Sequence, residues 1–191
     1  MAQTRLITRW LGVAAGVAVV LIGLGFMPPQ QRIEVCRCES AAPLLSLQAG
    51  PGTRFSVWFL HSYDRAYFQE HYRVEEGGRL VLTHMTFKSA LNGQGFEMGT
   101  YHSRPDGSAE LADINQQIEK IIFRLGSPDL ADHTLILDGR RLRLLDYANA
   151  GDLLCIRVVS RPFWRFSKRT DQGTKRKNST PAWAECPQEQ T

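Results

Sequence analysis

The sequence predicts an all-β fold, a small antiparallel sandwich or barrel, preceded by one N-terminal transmembrane helix. Three observations predict it. An uncharged apolar run, WLGVAAGVAVVLIGLGFM from Trp10 to Met27, follows Arg5 and Arg9. From Phe55 onward, short runs rich in aromatic and β-branched residues alternate with Gly and Asp-Gly turns at the spacing of a sandwich or small barrel. Four cysteines, an even number, suit a domain stapled outside the cytoplasm.

The chain has 191 residues, 43% of them hydrophobic and 22% charged. That is enough for one core plus a targeting element, and it excludes both wholesale disorder and a multi-span membrane protein. The net charge of +4 is uneven. Lys168, Arg169, Lys175, Arg176 and Lys177 crowd near the C-terminus, a local solvated patch, so no nucleic-acid partner is expected.

As a helix, the apolar run rises about 27 Å, close to the hydrocarbon thickness of a bilayer. A cleaved signal has a shorter apolar region and a small-residue exit, whereas this run leaves through Gly25-Phe26-Met27-Pro28-Pro29. An uncleaved signal-anchor over 10–27 is therefore expected, with 1–9 in the cytoplasm because Arg5 and Arg9 precede the span. No small residues precede Cys36 or Cys38, which argues against a lipid anchor. The chain is placed in the cytoplasmic (inner) membrane, single-pass, with its domain in the periplasm.

Residues 28–53 read as a stalk or linker, punctuated by Pro28-Pro29, Ala41-Ala42-Pro43 and Gly50-Pro51-Gly52. The β domain is expected over 54–166. Phe55–His61 is a strand, and Gly77-Gly78 separates HYRVEE from RLVLTHMTF as a hairpin turn does. Further strands are expected near Phe96–His102, Glu119–Arg124, Thr134–Leu137, Arg141–Asp146 and Leu153–Val159. Asp138-Gly139 is the strongest hairpin signal, since both central residues of a type I′ turn need positive φ. Isoleucines 114, 118, 121 and 122 recur at helical spacing, which predicts a helix over Leu111–Ile122. Residues 167–191 read as a basic, mostly irregular tail.

The disulfide candidates are Cys36, Cys38, Cys155 and Cys186. Cys36 and Cys38 are too close to bridge each other without strain, which leaves each to find Cys155 or Cys186.

WFLHSYDRAYFQE from Trp58, HYRVEEGGRLVL, and FKSALNGQGFEMG then carry a resemblance in their order and spacing. The chain resembles the bacterial domain-of-unknown-function family numbered 1850, over roughly Phe55 to Val159. The matching positions are His61-Ser62, Glu70, Gly77-Gly78, Phe87, Ser89, Gly93 and Gly95. Tyr63 and Phe96-Glu97 depart from the pattern. The resemblance implies a small exported β domain encoded beside TRAP transporters of the TAXI type, with the transporter's membrane subunit or its periplasmic binding protein as partner. It implies no established chemistry.

His61, Ser62, Glu70, Ser89, Gly93 and Gly95 form the candidate polar site. Neighbouring strand residues face opposite ways, so His61 is poorly placed to activate Ser62, and no G-x-S-x-G elbow is present. Glu70 is expected either to join that site or to accept backbone N–H bonds that anchor the loop. His71, His84, His102 and His133 lie apart without metal-binding spacing, so no metal is expected. Gly93-Gln94-Gly95 lacks the Lys-Ser/Thr of a phosphate loop, so no cofactor is expected. These observations predict a membrane-anchored accessory or interaction protein, not an enzyme. The alternative is a small-ligand binding or sensing domain, and an extracytoplasmic hydrolase has the weakest support.

Overall fold

The computed structural model describes residues 30–40, 43–62, 65–88 and 98–161. The helix expected over 10–27 and the tail over 167–191 lie outside the described residues. Among those described, no helix is long and apolar enough to cross a membrane.

The fold is all-β and antiparallel. Its strands are β1 (Gln30–Arg37), β2 (Pro43–Ala49), β3 (Arg54–Leu60), β4 (Tyr67–Val74), β5 (Leu80–Phe87), β6 (Thr100–Ser103), β7 (Ala109–Ala112), β8 (Gln116–Ile118), β9 (Ile121–Arg124), β10 (Thr134–Leu137), β11 (Arg140–Arg143) and β12 (Leu153–Arg161). A small sheet has the order β2-β1-β12-β9. A large sheet runs β11-β10-β3-β4-β5-β7-β6, and β8 pairs with β5 beside that path. Every described pairing is antiparallel.

Alternation along the strands explains the packing. On β1, Ile33 and Val35 face inward while Arg32, Glu34 and Cys36 face out, and register carries the same parity to Leu45 and Leu47 on β2 and to Leu154 and Ile156 on β12. The large sheet answers with Phe55, Val57, Tyr72, Val74, Leu80, Leu82, Leu135 and Leu137 in the same core cluster. Two apolar faces thus close on each other as a sandwich, each removing the other from water.

The stalk expected over 28–53 is corrected by this arrangement. From Gln30 it is part of the domain, with β1 lying between β2 and β12. Pro43 opens β2 and Gly50-Pro51-Gly52 lie between β2 and β3, while the inward aliphatic residues between Pro43 and Gly50 form the strand.

The helix expected over Leu111–Ile122 is also absent. Asp113 and Asn115 have φ of 60° and 46°, which breaks a right-handed helix, and the segment forms β7, β8 and β9 in turn. The isoleucine spacing reflects a crossover between sheets: Ile118 pairs with Leu80 on the large sheet, and Ile121 with Ile156 on the small one.

The Asp138-Gly139 turn follows the expectation. Their φ values of 51° and 72° are both left-handed, joining β10 to β11 with Leu137 opposite Arg140. Beside this hairpin, Asp132 and Arg143 form a buried ion pair, Nε to Oδ1 at 2.5 Å, with side chains 0% and 5% exposed.

Candidate functional site

Of the polar residues singled out from the sequence, the three described are His61, Ser62 and Glu70, and Glu70 stands apart from the other two. His61 follows β3, half-buried, with its ring 6.4 Å from that of Phe68. Ser62 is exposed in the turn beyond. Glu70 sits opposite Val57, and the stacked Phe59–Phe68 pair lies between that position and the strand end where His61 stands. His61 is four positions beyond Val57, about 13 Å along the chain. Glu70 accepts a hydrogen bond from Tyr72 Oη at 2.5 Å, so its described anchor is a side chain and not the loop backbone. Burial raises the Glu70 pKa, against the opposite pull of that bond, and burial also raises the pKa of Tyr72. Ser89, Gly93 and Gly95 lie outside the described residues.

Two histidines read as distant are brought together. On the outward face of the large sheet, strand register aligns Ile136, Ser56, His71 and His84 in one row across β10, β3, β4 and β5. The register of β4 against β5 slips between His71 and Tyr72, leaving Thr83 as an extra residue. Such a bulge re-aims the next side chain. The imidazoles of His71 and His84 stack with centroids 4.0 Å apart and planes inclined by 6°.

Hydroxyl groups fix the rings. His71 Nδ1 meets Ser56 Oγ and its Nε2 meets Thr86 Oγ1, both at 3.1 Å. Thr83 Oγ1 donates to the His71 carbonyl at 3.0 Å and lies 2.9 Å from His84 Nδ1. A hydroxyl has one proton, so with that proton spent on the carbonyl it accepts from His84 Nδ1–H. A neutral His84 then carries its lone pair on Nε2. Burial and the adjacent His84 lower the His71 pKa to about 4, and burial lowers that of His84, so both rings are neutral at pH 7.

A cavity of about 340 Å³ opens here, lined by Arg54, Ser56, His71, Arg73, His84 and Asp138 among others. Arg54 and Arg73 stand directly opposite each other on β3 and β4, a like-charge pair across strands. Arg73 pairs with Glu75 at 3.1 Å. The arrangement offers guanidinium donors for an anion beside a neutral imidazole acceptor. Among the described residues, no group of three His, Cys, Asp or Glu side chains is placed to hold a metal ion.

Residues 55–144 match the family described as Domain of unknown function (DUF1850). This chain carries a DUF1850 domain. The match spans β3 to β11, and therefore the whole large sheet with its histidine pair, while β1, β2 and β12 lie outside it. No curated protein and no solved structure matches the chain.

A signal for the histidine pair was present in the sequence. Gly77-Gly78 marks the hairpin that brings His71 and His84 near each other, but the register beside the turn, with Tyr72 opposite Leu82, leads to His71 opposite Thr83, and the bulge moves it to His84. Counting outward from the turn comes within one residue of the pair, which spacing along the chain does not. Of the cysteines, Cys36 stands opposite Cys155 in the small sheet with Sγ atoms 2.6 Å apart, Cys38 lies just beyond β1, and Cys186 lies outside the described residues.

Proposed function

We propose that this protein is a membrane-anchored accessory domain on the periplasmic side of the inner membrane, acting by binding, with its recognition surface on the outward face of the large sheet around His84. The observation that carries the reading is the neutral, stacked histidine pair lining a cavity beside two opposed arginines. Opposed guanidinium groups repel, and a bound anion relieves that repulsion while forming charge-assisted hydrogen bonds. The bare Nε2 of His84 takes a donor. The chemistry suits a small solute with a carboxylate and a neighbouring hydroxyl or ammonium group. A cavity of this size is at the small end of the range for ligand pockets.

A TRAP transporter of the TAXI type, through its membrane subunit or its periplasmic binding protein, is the proposed partner. That context rests on the family resemblance, and the apolar segment of 10–27 is what would hold the domain beside it. The hydrolase reading has weaker support, since Ser62 is exposed in a turn while the His61 ring neighbours Phe68.

Titration of the full chain with small hydroxy- and amino-carboxylates, followed by calorimetry and histidine NMR, tests the site. Binding is expected to shift the His84 ring resonances, and His84→Leu and Arg54→Met should each raise Kd at least tenfold. His102→Gln, an exposed position outside the cavity lining, should leave it unchanged. Affinities unaffected by both cavity variants would sink the site. Uptake unchanged by deletion, together with purified transporter complexes lacking the chain, would remove the transporter assignment.

A further inference from the structure

Three thiols meet at one end of the small sheet, outside the stretch that matches the family. Cys36 and Cys155 face each other across β1 and β12, 1% and 6% exposed, on the outward face of that sheet. Cys38 is two residues beyond Cys36, and its backbone N–H donates to the Leu153 carbonyl at 2.9 Å, which continues the β1–β12 register past the strand end. That register keeps Cys36 and Cys38 on one face. Cys38 is exposed, and standing opposite Leu153 it is the diagonal neighbour of Cys155 on the same face. Cys155 thus has a buried sulfur at 2.6 Å and an exposed thiol as its diagonal neighbour across the strand pair.

An external disulfide can reach Cys38 but not the other two, because exchange requires a thiolate to approach a sulfur along the S–S axis. We infer that the three cysteines form a thiol relay, in which Cys38 accepts oxidation from an external disulfide compound and passes it through Cys155 to a buried Cys36–Cys155 bond.

Each step is an exchange. The Cys38 thiolate attacks one sulfur of R–S–S–R, forming a Cys38–S–S–R bond and releasing one R–S⁻, which takes up the proton given by Cys38. The Cys155 thiolate then attacks Cys38 Sγ. A Cys38–Cys155 bond forms, and the second R–S⁻ leaves with the Cys155 proton. Finally the Cys36 thiolate attacks Cys155 Sγ, displacing Cys38, which recovers a proton from Cys36. One external disulfide is reduced to two thiols, Cys36 and Cys155 are oxidised, and Cys38 is regenerated. The same path run backward lets an external thiol open the buried bond.

The test uses the reduced full chain in mild detergent, in a Cys186→Ser background, challenged with oxidised glutathione, acid-quenched, alkylated and mapped by mass spectrometry. The relay predicts a Cys36–Cys155 linkage whose formation slows at least tenfold in Cys38→Ser when folded, but not when both chains are unfolded in urea. In Cys155→Ser, glutathione should remain trapped on Cys38. Equal folded rates with and without Cys38, or glutathione trapped on Cys36, would overturn the relay, as would a native chain that forms no Cys36–Cys155 bond.

Discussion

All five histidines lie between residues 55 and 144, on the large sheet or its connections, while the three described cysteines lie on or just beyond the strands of the small sheet. The large sheet turns a polar outward face to solvent, with neutral histidines beside arginines. The small sheet's outward face is more enclosed. There Glu34 is 1% exposed and lies opposite Arg157, with Oε2 to Nη2 at 3.4 Å, in the register row next but one to the buried Cys36–Cys155 pair. The sheets share one core but differ in the agent to which each is sensitive: protons for the first, thiols and disulfides for the second. The family match covers the large sheet from Phe55 together with β9 of the small sheet, and the three described cysteines lie outside it.

The largest expected effect separates the sheets by redox state. A Cys36–Cys155 bond spans 119 positions of chain, and the chain-entropy account gives a stabilisation of about 4–5 kcal/mol for such a loop. Urea unfolding of oxidised and reduced protein should differ by that order. Equal midpoints would mean that the small sheet gains nothing from the bond and that the contrast is one of position only.

Next comes the buried ion pair at the large sheet's edge. Asp132→Ala leaves Arg143 charged in a site that is 5% exposed, which should cost about 3–5 kcal/mol. Replacing both, as Asp132→Leu with Arg143→Met, should recover much of that loss. Urea denaturation of the three proteins checks it, and a double variant no better than the single one would show that the pair has further partners that matter as much.

Acid should act on the large sheet. His133 lies between the rings of Phe59 on β3, 5.4 Å away, and Phe123 on β9, 4.5 Å away, and burial lowers its pKa to about 4. The folded pKa lies below the unfolded value of about 6.5, so the unfolded chain binds the extra proton. The stability from this group is therefore complete above about pH 6.5 and is lost as pH falls toward 4, by about 3 kcal/mol at most. His71, lowered to the same value, adds in the same direction on the solvent face. Melting curves from pH 7.5 to 4 should show His133→Phe losing part of the acid sensitivity, with a difference from wild type that is flat above pH 6.5. A difference that grows above pH 6.5 would contradict the assignment.

The sequence disclosed these two halves unequally. Local signals worked where structure is local: the Asp138-Gly139 turn, the β10 run Thr134–Leu137 and the Gly77-Gly78 hairpin all lie where a short window places them. They failed where structure depends on distant strands. β1 and β2 belong to the domain because β12, more than a hundred residues later, completes their sheet, and nothing near Pro43 or Gly50 announces that partner. The isoleucines of 114–122 recur at helical spacing because a crossover returns to two cores, a pattern that a single window reads as one helical face. The histidine pair required both a register and a bulge. The register could be counted, whereas the bulge at Thr83 leaves no local mark.

The smallest effect compares the same substitution beside a strand end of each sheet. Gly139, in the hairpin of the large sheet, has φ of +72° and open space where a Cβ would go, so Gly139→Ala meets no neighbour and pays only the left-handed backbone. That should cost about 1–2 kcal/mol. Gly50, just past β2, has equally open space without the left-handed φ, and its N–H donates to Thr53 Oγ1 at 2.9 Å, a bond that alanine keeps. There the loss of unfolded-state freedom dominates, and Gly50→Ala should stabilise by about 0.4–1 kcal/mol. Opposite signs in urea denaturation would show that backbone sign, and not local crowding, sets glycine's role in these turns. The same sign at both would mean that Gly50 must leave its present conformation when it gains a side chain.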